Sequence, residues 1–212
     1  MAYDVPANRH FSMLRNYRLS DVVTMGNAAC GVGAILLAQS AMLTGTAWLL
    51  WPAMALLPLA LVFDALDGRV ARKRGGGSAM GRELDSLADV ISFGVAPAAL
   101  AYAVGMRGLF DVGVLIFFVA CGISRLARFN VTADALSAGN PAGKVAYFEG
   151  TPITSSLLVV AVLAAGVALG HVGDGLWLGT LGHGLWSFHP LVLLFAVNGC
   201  TMVSKTLRIP KV

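Results

Sequence analysis

Charge is scarce in this chain. Only 12% of its 212 residues are Asp, Glu, Lys or Arg, while 57% are hydrophobic. That balance excludes an ordinary soluble domain and indicates an integral membrane protein. Cysteine is also sparse. Cys30, Cys121 and Cys200 are odd in number, each lies in an apolar run, and none has metal-site spacing. A disulfide framework is therefore not expected, and the three read as small core residues. The first residues, MAYDVPANRHFSMLRNYRLS, lack the apolar centre of a signal peptide. There is no repeat at a solenoid period and no low-complexity segment. The net charge of +4 does not suggest a nucleic-acid partner, because the basic residues are scattered beside apolar runs.

The apolar runs predict an all-α, polytopic membrane protein with a bundle of six transmembrane helices. Their expected bounds are 21–43, 47–72, 81–105, 109–130, 152–170 and 186–206. Each is long enough to cross roughly 30 Å of hydrocarbon at about 1.5 Å per residue. Residues 1–20 then form a cytoplasmic or interfacial segment, and 21–212 the membrane domain. Between Arg9 and Arg18 an amphipathic interfacial helix is expected, with Phe11, Leu14 and Tyr17 on its apolar side. Ser20 and Asp21 read as the capping end of the first span, and Thr151 and Pro152 as the cap and first helical position of the fifth.

Fourteen of the fifteen Lys and Arg fall before the first span, around the second and fourth connections, or after the last span; Arg107 is the exception. This is a positive-inside pattern that places both termini on the cytoplasmic side. His171, His183 and His189 fall on the other side and read as loop or interfacial residues. The polar stretch NVTADALSAGNPAGK is expected to be the one substantial cytoplasmic loop.

The stretch from Phe63 to Val90 breaks the apolar pattern. It reads FDALDGRVARKRGGGSAMGRELDSLADV. Asp64, Asp67, Gly68 and Ala71 are spaced i, i+3, i+4 and i+7, so they share a helical face; Asp85 and Asp89 are an i, i+4 pair. The glycine-rich KRGGGS between them predicts a turn, hence a helical hairpin whose acidic faces meet. One carboxylate at the centre of an apolar helix costs about 2.5–3.5 kcal/mol on insertion scales, and several together repel one another. One reading pairs these acids with Arg69, Arg72, Lys73, Arg74 and Arg82. The other is a divalent metal site, for which hard oxygens suit Mg²⁺, Mn²⁺ or Ca²⁺.

Asp64-x-x-Asp67-Gly68-x-x-Ala71-Arg72, eight residues, then Gly81-x-x-x-Asp85-x-x-x-Asp89 resembles the signature of the CDP-alcohol phosphotransferase family at every fixed position. The resemblance implies transfer of a phosphoalcohol group from a CDP-linked donor to an alcohol, with release of CMP. It implies that Asp64, Asp67, Asp85 and Asp89 bind divalent metal, Mg²⁺ or Mn²⁺ and two ions in all. Asp89 would also be the general base towards the acceptor hydroxyl. Asp64, Gly68, Ala71, Arg72, Ser78 and Gly81 would line the CDP site. DSLADVISFGVAPA, RLARFNV and YFEGTPIT resemble the bacterial branch of the family that uses CDP-diacylglycerol and L-serine. That likeness implies a homodimer, membrane lipids as partners and the bacterial inner (plasma) membrane as location, with the site facing the cytoplasm. Related enzymes use glycerol phosphate, inositol phosphate or choline. Arg125 and Arg128 either snorkel to the interface or form an anion-binding wall for the acceptor. Glu149 is either solvated or takes an ammonium group. Asn27 is either an interhelical hydrogen-bonding residue or part of the acceptor site. Outside this class, intramembrane acids also mark ion pathways, so a cation- or proton-coupled transporter is the competing expectation, although no inverted repeat is apparent.

Overall fold

The computed structural model describes residues 19–73, 79–139, 147–182, 184–204, 206 and 208–210. The expected interfacial helix, the tip of the acidic hairpin with Ser78, and His183 lie outside the described residues. Helix α1 (Leu19–Thr44) leads through a short 3₁₀ turn into α2 (Leu50–Lys73). Helix α3 (Ala79–Asp89) passes into a π-helical segment, Val90–Val95, and then into α4 (Ala96–Val104). Helix α5 (Leu109–Gly139) is followed by α6 (Ser156–Ala168) and α7 (Leu193–Val203). A short antiparallel ladder pairs β1 (Tyr147–Glu149) with β2 (Arg208–Pro210), an addition to the helices.

Among the described residues, four stretches are long and apolar enough to cross a membrane: Leu19–Thr44, Ala47–Val70, Met80–Val104 and Leu109–Val131. Two further apolar helices, Ile153–Ala168 and Pro190–Val203, are shorter. With large side chains such as Leu36, Trp48, Ile116 and Leu158 exposed on its surface, the chain is an integral membrane protein. Helix α5 runs to Gly139, so the first part of the expected cytoplasmic loop is helical. That stretch contains no proline or glycine before Gly139 to stop the helix.

Small residues let α1 lie close to its neighbours. Its buried stripe runs Asp21, Thr24, Asn27, Gly31, Ala34, Ala38 and Ala41, spaced by three or four and so confined to one face. On a flank of this stripe α1 also packs closely on α2: a Cβ on Gly26 would touch the Phe63 ring at 3.1 Å, and one on Gly33 would touch Leu56 at 3.0 Å. Pro58 lies inside α2. Membrane helices tolerate such a break because neighbouring groups satisfy the freed carbonyl.

The end of the bundle remote from the acidic hairpin is closed by Asp111, which is fully buried. Its Oδ2 accepts from the Gly108 backbone N–H at 3.0 Å, a reach-back from the first turn of α5. Its Oδ1 accepts from the His189 backbone N–H at 2.9 Å, and Oδ2 lies 2.6 Å from His189 Nδ1. His189 is therefore a buried clasp rather than the interfacial residue expected. Burial with its carboxylate partner is a tertiary effect that its position in the chain does not reveal. His171 does sit beside a loop, its ring 5.5 Å from that of Trp177.

The start of α6 also differs from expectation. Pro152 occupies the cap position of a 3₁₀ turn, Ile153–Ser155, without a side-chain cap bond. The Thr151 hydroxyl instead pairs with that of Thr201 at 3.1 Å, and the Thr151 N–H donates to the Thr201 carbonyl. Gly150 beside it has φ +75°, and a Cβ there would strike the Met202 carbonyl, so this crossing of α7 requires glycine.

Candidate metal and phosphate site

Asp64 and Asp67 come from the C-terminal part of α2, and Asp85 and Asp89 from α3. The expected facing of two acidic helices is present: one carboxylate oxygen each from Asp64, Asp67 and Asp85 lie within 4.8 Å of one another. Asp67 and Asp89 are buried, and Asp64 and Asp85 half-buried. Asp85 Oδ1 is buried with no hydrogen-bond partner among the described residues. An orphaned carboxylate oxygen in a triplet of hard ligands fits a divalent cation of the Mg²⁺ or Mn²⁺ type. Asp89 is not one of the three, but the charges of Asp64, Asp67 and Asp85 all act on it.

Two carboxylates are held from α1 by uncharged donors. The Thr24 hydroxyl donates to Asp67 Oδ2 at 2.6 Å, and Asn27 Nδ2 donates to Asp89 Oδ1 at 3.1 Å. Neutral donors orient a carboxylate without supplying the positive charge that a metal would bring. Thr24, one turn before Asn27, was not singled out from the sequence. The signal for it was a second polar residue at i−3 on the same face of an apolar helix.

Gly68 in α2 and Gly81 in α3 are half-buried. Ala71 and Arg72 lie on the last turn of α2, where only the backbone is described. Arg125 of α5 is half-buried, within electrostatic range of Asp89, and its guanidinium lies 5.7 Å from the centre of the Phe129 ring. Arg128 is half-buried one turn on. Between these groups Asn130 Nδ2 donates to Ser86 Oγ at 3.0 Å, tying α5 to the turn of α3 that carries Asp85. Glu149 is in β1, paired with Arg208 in the ladder register; only its backbone is described.

A helical membrane protein with a carboxylate triplet shared between two helices, and two arginines on a third helix beside it, has the parts of a lipid-headgroup phosphotransferase. Residues 17–197 match the CDP-alcohol phosphatidyltransferase family, and the chain belongs to it. It is 46% identical over 203 residues to the CDP-diacylglycerol–serine O-phosphatidyltransferase of Saccharomyces cerevisiae, covering 95% of this chain and 74% of that one. It is 37% identical over 166 residues to the enzyme of the same name from Methanocaldococcus jannaschii, covering 77% of this chain and 75% of that one. The Bacillus subtilis enzyme of that name is 34% identical over 145 residues, 68% of this chain and 73% of that one. The transporter expectation gives way to this family membership.

Proposed function

We propose that this chain transfers the phosphatidyl group of CDP-diacylglycerol to L-serine, giving phosphatidylserine and CMP. The observation that carries the reading is the convergence of Asp64, Asp67 and Asp85 within 4.8 Å, on the two helices that bear the family signature. The three relatives named above are all serine phosphatidyltransferases by name.

Asp64, Asp67 and Asp85 would hold divalent metal, Mg²⁺ or Mn²⁺, with Asp89 as a further ligand and two ions in all. Bound metal supplies charge neutralisation and polarisation of the diphosphate oxygens. Gly68 and Gly81, having no side chain, leave room for the nucleotide against α2 and α3. Asp64, Ala71, Arg72 and Ser78 complete the CDP site, Arg72 offering a fork of donors to phosphate. Asp89 accepts the serine hydroxyl proton as that oxygen attacks the lipid-side phosphorus. The bond from phosphorus to the CMP oxygen breaks in the same in-line step, so configuration at a chiral lipid phosphorus inverts. Arg125 and Arg128 receive the serine carboxylate and Glu149 its ammonium, while Asn27 faces the acceptor site beside Asp89.

The proposal includes a site and termini on the cytoplasmic side of a bacterial inner (plasma) membrane, six crossings in all, and a homodimer. The deciding experiment offers the purified protein CDP-diacylglycerol with L-serine, glycerol 3-phosphate, inositol phosphate or choline in turn. Phosphatidylserine and stoichiometric CMP are expected. Donor consumption with another of these acceptors but not with serine would reject serine and leave the acidic hairpin's chemistry standing.

A further inference from the structure

We infer that Asn27 of α1 is a positioning residue for Asp89, setting the carboxylate's orientation through its side-chain amide. The inference rests on the reading of Asp89 as the group that accepts the acceptor's proton. Asn27 is fully buried, on a helix whose next three residues are Ala28, Ala29 and Cys30. Its Nδ2 donates to Asp89 Oδ1 at 3.1 Å, while its own Oδ1 has no partner among the described residues. A half-satisfied amide is an expensive occupant of an apolar interior, where an alanine or leucine would fill space at less cost. Packing alone does not account for it. The hydrogen bond to Asp89 does.

The amide is also held still. Ser92, fully buried, donates its hydroxyl to the Asn27 backbone carbonyl at 2.9 Å. One turn further along α1, a Cβ on Gly31 would lie 2.5 Å from Ser92 Oγ and 2.8 Å from Ser92 Cα, so glycine permits this approach of the two backbones. Ser92 belongs to the π-helical segment that begins directly after Asp89. Such widened turns recur at functional sites, where they change the direction in which neighbouring side chains are presented. Asp89 and Ser92 thus grip Asn27 from the same side, one through its amide and the other through its carbonyl.

A carboxylate turns easily about its last torsion. Fixing Oδ1 with one neutral donor leaves Oδ2 to meet the incoming hydroxyl, without adding a positive charge that would compete for it. Proton transfer depends steeply on this alignment, and a misplacement of about 1 Å can cost on the order of 100-fold in rate.

The test uses the full chain in lipid nanodiscs, with Asn27→Ala, Ser92→Ala, Asp89→Asn and the double variant Asn27→Ala/Asp89→Asn. For each, kcat, KM for the acceptor, direct binding of CDP-diacylglycerol and thermal stability are measured. Asn27→Ala should lower kcat by about 10- to 100-fold with donor binding unchanged. The double variant should be no slower than Asp89→Asn alone, because the two residues act as one unit. Ser92→Ala should lose less, in the same direction, and carries the test if Asn27→Ala does not fold. Full turnover in both Asn27→Ala and Ser92→Ala, a loss confined to donor binding, or multiplied losses in the double variant would each overturn the inference and leave Asp89 in its role. Full turnover by Asp89→Asn would instead remove Asp89 as proton acceptor, and the inference with it.

Discussion

Asp85→Asn should have opposite effects on stability with and without metal. Asp85 shares a site with Asp64 and Asp67, their oxygens within 4.8 Å, and its Oδ1 has no partner among the described residues. Two unit charges at that separation repel by about 3.5 kcal/mol in a medium of effective dielectric constant near 20. Asp85 takes part in two such pairs. Because it is half-buried, solvent screening reduces the relief on neutralising it to about 1–3 kcal/mol. For a chain of this size that corresponds to a rise in melting temperature of roughly 2–10 °C, measured with chelator present. With Mg²⁺ or Mn²⁺ in excess the order should reverse. The parent gains stability as metal binds to the folded state, and the variant, lacking one ligand, gains much less. Thermal unfolding in detergent, followed with EDTA and across a metal titration, reads both effects; CMP release should be lost in the same variant. If Asp85→Asn lowers the melting temperature equally with EDTA and with metal, the three acids are not a mutually repelling ligand set and the metal assignment falls.

Asp111→Ala removes the carboxylate that holds Gly108 and His189 and leaves those donors buried; a destabilisation of about 3–5 kcal/mol is expected in thermal unfolding, with turnover per folded molecule unchanged. A turnover loss in correctly folded Asp111→Ala would place this remote clasp in the catalytic cycle. Gly31→Ala puts a methyl group against Ser92, so it should cost about 1–3 kcal/mol and slow turnover by displacing the segment after Asp89; parent-like stability and rate would show that α1 yields freely there. Arg125→Ala should raise KM for serine at least about tenfold, as expected for a lost charge-assisted contact, with donor affinity little changed. An effect on the donor alone would move Arg125 to the lipid side of the site.

Much of the candidate site is a local property of the chain. The i, i+3, i+4 spacing of Asp64, Asp67 and Gly68, and the i, i+4 pair Asp85 and Asp89, each define one helical face without reference to anything distant. Scarcity of charge and long apolar runs likewise suffice for membrane insertion, because the bilayer acts on each span as a solvent. Asn27 was visible as a polar residue in such a run, but its partner was not. The bonds that orient the acids join Thr24 to Asp67 and Asn27 to Asp89, across 43 and 62 residues, and only helix packing brings them together. The π-helical turn after Asp89 has no local signature in VISFGV. It forms where Ser92 must meet α1 at Gly31 while Phe93 and Gly94 are buried. The clasp between Asp111 and His189 spans 78 residues and is likewise tertiary. The sequence by itself determined a membrane protein with a paired-helix acidic motif, since periodicity and transfer energy are summed along the chain. Only the tertiary structure decided how each carboxylate is held, since an orienting hydrogen bond depends on angstrom-scale packing between helices far apart in sequence.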